Sequence, residues 1–159
     1  MYRILLGLFA VMMTLSVATA ATVTSRNGWV VIDTHQSFAE LSERLEAVVK
    51  AEKMGLVTSA SASAGAQAAD IAIPGNRVVG VFRNDFARRI LGASVAAGIE
   101  APIRFYITEN PDHTATLSYK TPSFVFSPYF DEGKDALRVV AGELDKIFAR
   151  IADNTTKDR

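Results

Sequence analysis

The chain has 159 residues, of which 49% are hydrophobic and 21% are charged, with 17 basic and 17 acidic side chains. This length suits a single domain, and the even charge balance argues against nucleic acid or an anionic membrane surface as a partner. The chain contains no cysteine, which excludes a disulfide framework, thiol chemistry and a lipid-modified amino-terminal cysteine.

The first twenty residues have the pattern of a secretory signal peptide. A weakly positive start is followed by an apolar run from Ile4 to Val17, and the small residues Ala18 and Ala20 suit signal peptidase. The run is shorter than the roughly 20 apolar residues that a membrane-spanning helix needs. We therefore expect residues 1–20 to be removed by cleavage after about Ala20, an uncleaved anchor being the alternative. The mature protein is then periplasmic or secreted, without membrane association.

The mature part is expected to form one domain. A lead-in at residues 21–27 precedes an α+β domain over residues 28–152, and a polar, frayed tail follows at residues 153–159. We find no internal repeat and no interdomain linker in this sequence.

The domain begins with a predicted strand and helix. Gly28 to His35 is rich in β-branched and aromatic residues, which is typical of a strand. Ser37 and Glu40 form the Ser-x-x-Glu pattern of a capping box at a helix start. Apolar residues then recur at helical spacing, at Phe38, Leu41, Leu45 and Val48. We expect Gly55 to end this helix, because glycine accepts the left-handed conformation.

The middle of the chain predicts two more strands and another helix. Residues 56–63 alternate among small side chains and are interpreted as a strand, and residues 64–72 as a short helix or a loop. The Pro-Gly-Asn turn at residues 74–76 leads into a strand over residues 77–83. A helix capped by Asn84 or Asp85 is expected to run to about residue 97, where Gly98 stops it.

Residues 102–120 carry the strongest hairpin pattern in the sequence. Pro102 to Glu109 alternates, so that Ile103, Phe105 and Ile107 share one face, and Arg104, Tyr106 and Thr108 share the other. A loop at residues 110–113 leads to a returning strand from Ala115 to Lys120.

The chain then passes through a segment predicted to be irregular, at residues 121–130, and ends in a helix that begins near Asp131. The apolar stripe of this helix comprises Leu137, Val140, Leu144, Ile147 and Ile151. Alternation in the later strands indicates a sheet that is buried on one face only, as antiparallel sheets often are. We therefore predict a two-layer α+β fold, a mostly antiparallel sheet with helices on one face.

Several motifs resemble the DUF302 family, a domain of unknown function. They are Val79 to Ala87, Ala101 to Tyr106, Thr116 to Tyr119, and Pro122-Ser123. The resemblance covers most of Trp29 to Ala152. Asp85 stands where the family usually has proline, and both residues suit the first turn of a helix.

The resemblance implies a TBP-like β-α-β4-α fold, here with an inserted helix, and association as a homodimer. It implies no activity. The likeness of that fold to a DNA-binding saddle is one of shape, and the neutral charge argues against nucleic acid as a partner.

The aromatic residues predict a binding surface. Tyr106 is expected on the open face of the sheet, and the small side chains of Ser59 to Ser63 are expected to leave a shallow trough nearby. Such a face suits a small apolar ligand or a second subunit. The candidate ligand or interface residues are Tyr106, Tyr119, Phe124, Phe126 and Tyr129. The alternative is that the aromatic segment at residues 121–130 closes the core at one end of the sheet.

Arg83, Arg88 and Arg89 flank the start of the middle helix, where exposed amides favour an anion such as a carboxylate or phosphate. Arg83 and Asn84 complete the candidate ligand or interface residues. A solvated helix face is the other interpretation of these side chains.

Asp33 and His35 provide an alternative of a different class. They lie two apart on a strand and share a face, so the carboxylate could orient the imidazole, as in a metal-handling protein or a small hydrolase-like enzyme. A polar strand end is the simpler interpretation. His113 lies in the hairpin loop at no ligand-like spacing, and we see no catalytic serine or phosphate-loop motif. We expect no metal and no cofactor, and favour a non-enzymatic binding or interaction module.

Overall fold

The structure, a computed structural model, describes residues 23–157. The predicted signal at residues 1–20 lies outside the described residues, so its cleavage stays a prediction. The strands are β1 (Trp29–Ser37), β2 (Gly55–Ala60), β3 (Asn76–Phe82), β4 (Ile103–Glu109) and β5 (Thr114–Lys120). The helices are α1 (Phe38–Ala51), α2 (Ala62–Gln67), α3 (Asn84–Ala93), α4 (Pro122–Phe126) and α5 (Phe130–Thr156), with 3-10 helices at Ala96–Glu100 and Ser127–Tyr129.

The five strands form one sheet in the order β1-β5-β4-β3-β2. Every neighbouring pair is antiparallel. Helix α1 connects the two edge strands, so β1 and β2 lie at opposite sides of the sheet. The predicted two-layer α+β fold is confirmed.

One face of the sheet carries the core. Its fully or nearly fully buried strand residues are Val79, Val81, Ile103, Phe105, Ile107, Ala115, Leu117 and Tyr119. Helices α1 and α5 pack on this face through apolar stripes that include Leu41, Leu45, Leu137, Leu144 and Phe148. Because burying each such side chain contributes about 1.5–3 kcal/mol, this layer supplies the stability that disulfides cannot provide in a cysteine-free chain.

The start of α1 is as predicted, but its end is not. The Ser37 hydroxyl accepts a hydrogen bond from the Glu40 amide, and the Glu40 carboxylate accepts hydrogen bonds from the Ser37 hydroxyl and the Ser37 amide. The hydroxyl contact, and then the amide contact, lowers the pKa of Glu40. The helix ends at Ala51, and the exposed Lys53 takes the left-handed conformation at φ 58°. Gly55 is therefore not the helix stop, and instead opens β2.

The next two boundaries also differ from the prediction. Strand β2 ends at Ala60, because the Ser61 hydroxyl caps α2 by accepting a hydrogen bond from the amide of Ala64. Helix α3 ends at Ala93, since Ser94 is extended and its hydroxyl accepts from the amide of Ala97. The expected continuous helix to residue 97 is therefore a helix followed by a 3-10 turn.

Residues 121–130 are helical rather than irregular. Thr121 caps α4 by accepting a hydrogen bond from the amide of Phe124, and Pro122 occupies the first turn, where proline is tolerated because no intrahelical donor is lost. This cap was not recognised in the sequence because the helix it starts is only one turn long.

Helix α5 carries the predicted apolar stripe, and its five predicted residues are all buried. It has a kink at Lys134, where φ is 48° and ψ is −142°. The helix continues to Thr156, so it takes in the first part of the predicted polar tail, and Thr155 is fully buried. Within residues 23–157, no helix has both the length and the apolar character needed to cross a bilayer.

Candidate functional site

The sheet face opposite the core carries three rows of side chains that run across the strands, as the register shows. The middle row is Val31, Ser118, Tyr106, Val78 and Ala60. On one side lies the row Trp29, Lys120, Arg104, Gly80 and Thr58, and on the other lies the row Asp33, Thr116, Thr108 and Asn76. We call this side the open face.

A depression of about 300 Å³ crosses the open face, and we call it the trough. Its lining on the open face is Trp29, Lys120, Ser118, Tyr106, Arg104 and Val78, and Glu100, Ile103, Tyr119 and Val125 complete it at the end of the sheet. The trough reaches from β1 to β3 and so crosses three strand spacings, which corresponds to about 14 Å.

The trough contains two cations without a carboxylate partner. Arg104 is exposed, and within residues 23–157 no carboxylate oxygen lies within 4.0 Å of Arg104 or Lys120. The ammonium of Lys120 lies 5.7 Å from the ring centre of Trp29, and the guanidinium of Arg26 lies 5.1 Å from it. The arginines that do form ion pairs are Arg77, Arg83, Arg89 and Arg150.

Among the residues that the structure describes, Glu100 is the one acidic residue that lines the trough. Its Oε1 accepts a hydrogen bond of 2.9 Å from the hydroxyl of Tyr129. This hydrogen bond raises the pKa of Tyr129. The carboxylate of Glu100 is thus held against the 3-10 helix that follows α4, rather than against Arg104.

The end of the trough is joined to the helix layer at Gly28. The ring of Phe124 packs directly on this glycine, and a methyl group at Gly28 would overlap the ring. Gly28 also has φ 73°, a conformation that other residues adopt only with strain. The amide of Thr121 donates to the Gly28 carbonyl at 2.9 Å, so α4 fixes the position from which Trp29 starts β1.

Asp33 lies in the third row of the open face, with Thr116, Thr108 and Asn76, and its carboxylate is hydrogen-bonded within the fold. The hydroxyl of Thr116 donates to Asp33 Oδ1 at 2.7 Å and lies 3.0 Å from Asn110 Oδ1. Among the described residues no hydrogen bond joins Asp33 to His35, which is exposed. No group of three or more His, Cys, Asp or Glu within residues 23–157 is placed to hold a metal ion.

Tyr106 lies half-buried on the open face, between Val78 and Ser118, and lines the trough. Tyr119 and Phe126 do not share that position. Tyr119 faces the helices, is 5% exposed, and has its ring 5.1 Å from that of Phe105.

Burial raises the pKa of Tyr119 to about 12, with smaller contributions from Asp153 and Asp145. Phe126 is fully buried in the core. The phase of β5 and the fold of α4 turn both rings inward, so Tyr119 lines the trough only at the end of the sheet and Phe126 does not line it.

Arg83 and Asn84, two further candidate ligand or interface residues, lie outside the trough. The guanidinium of Arg83 forms two hydrogen bonds to the carboxylate of Asp85 and lies 4.3 Å from the ring centre of Phe86. This contact lowers the pKa of Asp85. Asn84 is an exposed first residue of α3, and neither residue lines the trough.

The trough is also displaced from its predicted location near residues 59–63. At that side of the open face, Thr58 and the ring of Pro102 pack on Gly80, where a methyl group would overlap the Thr58 hydroxyl. The surface of Gly80 is thereby covered. The trough includes none of residues 59–63 and reaches β3 at Val78.

Sequence reasoning missed Trp29, Arg104 and Lys120 as lining residues. Arg104 could have been found, because it shares the phase of Tyr106 in β4. Trp29 and Lys120 could not, because their position depends on the pairing of β1 with β5.

Comparisons with known proteins agree with this architecture. The family model of DUF302, a domain of unknown function, matches residues 30–154. The crystal structure of an uncharacterized conserved DUF302 protein from Bacillus stearothermophilus is similar, with a TM-score of 0.70 and 19% identity, over 81% of this chain and 98% of that one. That identity shows a shared fold alone. Functionally curated proteins gave no match. The chain thus belongs to the DUF302 family, as its motifs predicted.

Proposed function

We propose that this protein is a non-enzymatic binding module that takes up a small molecule in the trough. The observation that carries the proposal is the composition of the trough, in which half-buried apolar side chains lie beside two exposed cations, Arg104 and Lys120, that have no carboxylate partner within residues 23–157. The floor of the trough at Ser118 is fully buried. A volume of about 300 Å³ is at the lower end of the range found for small-molecule sites. Helices α1 and α5 stabilise the opposite face, which leaves the open face available for recognition.

The lining residues favour binding over catalysis. None of them is a histidine or a cysteine, and the Ser118 hydroxyl points to the Tyr106 carbonyl oxygen at 3.5 Å. Nucleophilic catalysis needs a base within hydrogen-bond reach of the nucleophile. The trough therefore offers contacts for holding a ligand and no paired groups for transforming one.

We also propose that the protein works outside the cytoplasm, on the basis of the signal pattern at residues 1–20. The intact mass of the protein recovered from its own host is expected to correspond to a chain that begins at Ala21. A recovered chain that still begins at Met1 would contradict cleavage.

Native mass spectrometry of the protein from the same source tests the binding module. We expect the wild-type chain to retain a small-molecule adduct, and Tyr106→Glu to lose it, because the new carboxylate lies in the apolar middle row. The matched control is Val139→Glu, which places the same acid at an exposed apolar position of α5 and should keep the adduct. A wild-type chain without an adduct, or an adduct that both variants keep, would contradict the proposal.

Self-association through the open face is a second candidate. The middle row, from Val31 through Tyr106 to Val78, carries no charge, so two copies could stack these rows about a two-fold axis. Light scattering tests this candidate. A dimer that becomes a monomer in Tyr106→Glu supports it, and a monomer for both proteins rules it out.

A further inference from the structure

We infer that the trough takes a small organic anion with an apolar body, a carboxylate whose charged group lies at Arg104 and Lys120. This inference rests on the proposed function, because it names the ligand class of the same site. It follows from the positions of the charged side chains on the open face, from the positive charge of the trough and from the length of the trough.

The rows make the open face asymmetric. The apolar strip around Tyr106 has Lys120 and Arg104 along one side, and Asp33 with neutral side chains along the other. Side chains two residues apart on a strand are about 7 Å apart. When the apolar body of a ligand covers Tyr106, a negative group on the side of Arg104 and Lys120 reaches these two cations. A negative group on the opposite side would instead lie near the carboxylate of Asp33, which repels it.

The two cations are available for a ligand. Arg104 has no carboxylate partner among the described residues, whereas the guanidinium of Arg89 on the helix layer is held by both oxygens of Glu143, at 2.6 and 2.8 Å. A free guanidinium offers a planar pair of donors that matches a carboxylate. Glu100, the acid in the lining, is bonded to Tyr129, so the trough keeps an excess of positive charge.

The remaining lining sets the size and the chemistry of the ligand body. Val78 and Tyr106 lie below it, and Ile103 and Val125 lie at the end of the sheet. An inorganic anion would leave these apolar groups uncovered, whereas an alkyl or aryl body of up to about 14 Å would bury them. A simple fatty acid such as octanoate has this combination of charge, length and apolar surface.

The experiment uses Trp29, the single tryptophan of the chain, as a reporter inside the trough. The mature protein is titrated with octanoate. Separate titrations use 1-octanol, which has the same alkyl chain without the charge, and inorganic phosphate, which is an anion without an apolar body. We expect a saturable change in Trp29 emission with octanoate. For 1-octanol, and for octanoate with Arg104→Gln, we expect binding weaker by about tenfold, since a charge-assisted hydrogen bond has been removed.

The control variant is Arg88→Gln, the same change at an exposed residue of α3 outside the trough, which should bind octanoate as wild type does. If circular dichroism shows that Arg104→Gln does not fold, Lys120→Gln tests the same contact with the charged group of octanoate.

Equal affinity for 1-octanol and octanoate would overturn the anionic ligand and leave the binding module standing. An equal loss in Arg88→Gln would overturn the assigned position of the charge. No response to either probe overturns the inference, and joined to the absence of an adduct in native mass spectrometry it overturns the proposed function as well.

Discussion

The two faces of the sheet differ most clearly at Phe105 and Tyr106, which are neighbours in β4. Phe105 is fully buried and its ring stacks on Phe148 at 4.6 Å, whereas Tyr106 is half-buried and lines the trough. The alternation of a strand places these aromatic rings in different environments one residue apart. The contrast shows that the two sides of the same strands differ in burial, and under the proposed function one side serves stability and the other serves recognition.

Some cations of the helix layer are held by carboxylates, as in the contacts of Arg89 with Glu143 and of Arg150 with Glu52. On the open face, Arg104 lacks such a partner among the residues described. Paired charges at a surface add little to stability, and an unpaired cation beside an apolar strip is suited to a ligand.

The largest expected effect comes from truncating the two neighbouring rings. Phe105→Ala should lower the free energy of unfolding by about 3–5 kcal/mol, because it opens a cavity in the core. Tyr106→Ala should lower it by less than about 1 kcal/mol, because its ring is partly solvated. Urea denaturation measures both, and equal losses would show that the two faces are buried alike.

A smaller loss is expected where the open face meets the helix layer. Gly28→Ala should cost about 1–3 kcal/mol, because a side chain there is strained and its methyl group meets the ring of Phe124. The control is Gly142→Ala in α5, where nothing lies within 4 Å of the new methyl group and helix propensity should stabilise by about 0.5–1 kcal/mol. Thermal unfolding measures both melting temperatures. A shift of the two variants in the same direction relative to wild type would contradict this account.

Glu109, at the end of β4 on the core side, contributes to the free energy of unfolding in a pH-dependent way. Its Oε1 lies 3.0 Å from His113 Nδ1, and its Oε2 accepts from the amide of Gly75 at 2.7 Å. The contact with His113, and then the one with Gly75, lowers the pKa of Glu109 below its ordinary value. A carboxyl whose pKa is lowered by folding stabilises above its unfolded pKa, about 4.3, and loses that contribution as the pH falls through the lower folded value.

We therefore expect Glu109→Ala to lose about 1 kcal/mol at neutral pH and to approach wild type below pH of about 3–4. Chemical denaturation across this pH range measures the difference. Glu43→Ala, at an exposed position of α1, is the control for removing a glutamate and should keep a free energy of unfolding within about 0.5 kcal/mol of wild type. A difference at Glu109 that grows on acidification would contradict the assignment.

The smallest effect on stability is expected at Arg104. Because the side chain is exposed and unpaired among the described residues, Arg104→Gln should change the free energy of unfolding by less than about 0.5 kcal/mol while it weakens octanoate binding. A large loss of stability would show that Arg104 supports the fold.

Local patterns in the sequence predicted much of the fold. The capping box of Ser37 and Glu40, the alternation around Phe105 and the apolar stripe of α5 each depend on residues close in the chain, and each was recovered. The same alternation, continued from Ala115 and Leu117, would have placed Tyr119 on the buried face. In the structure its ring lies in the core, 5% exposed, and it lines the trough only at the end of the sheet.

The trough could be predicted only in part. Tyr106 and Arg104 are neighbours within one strand phase, but Trp29 and Lys120 come together through the β1–β5 pairing, across most of the domain. The sheet face at Gly80 in β3 is covered because Thr58 and Pro102 pack on this glycine. Contacts of this kind depend on tertiary structure, which has no local pattern in a single sequence.

The division between the faces can be measured directly by solvent paramagnetic relaxation with a neutral gadolinium chelate in NMR. We expect strong enhancement at the side chains of Arg104, Tyr106 and Lys120, and protection at Phe105 and Tyr119 in the same two strands. In a monomeric sample, all five residues should show this difference between enhanced and protected side chains. Equal protection of Tyr106 and Phe105 would show that the second face is covered and would contradict a recognition site there.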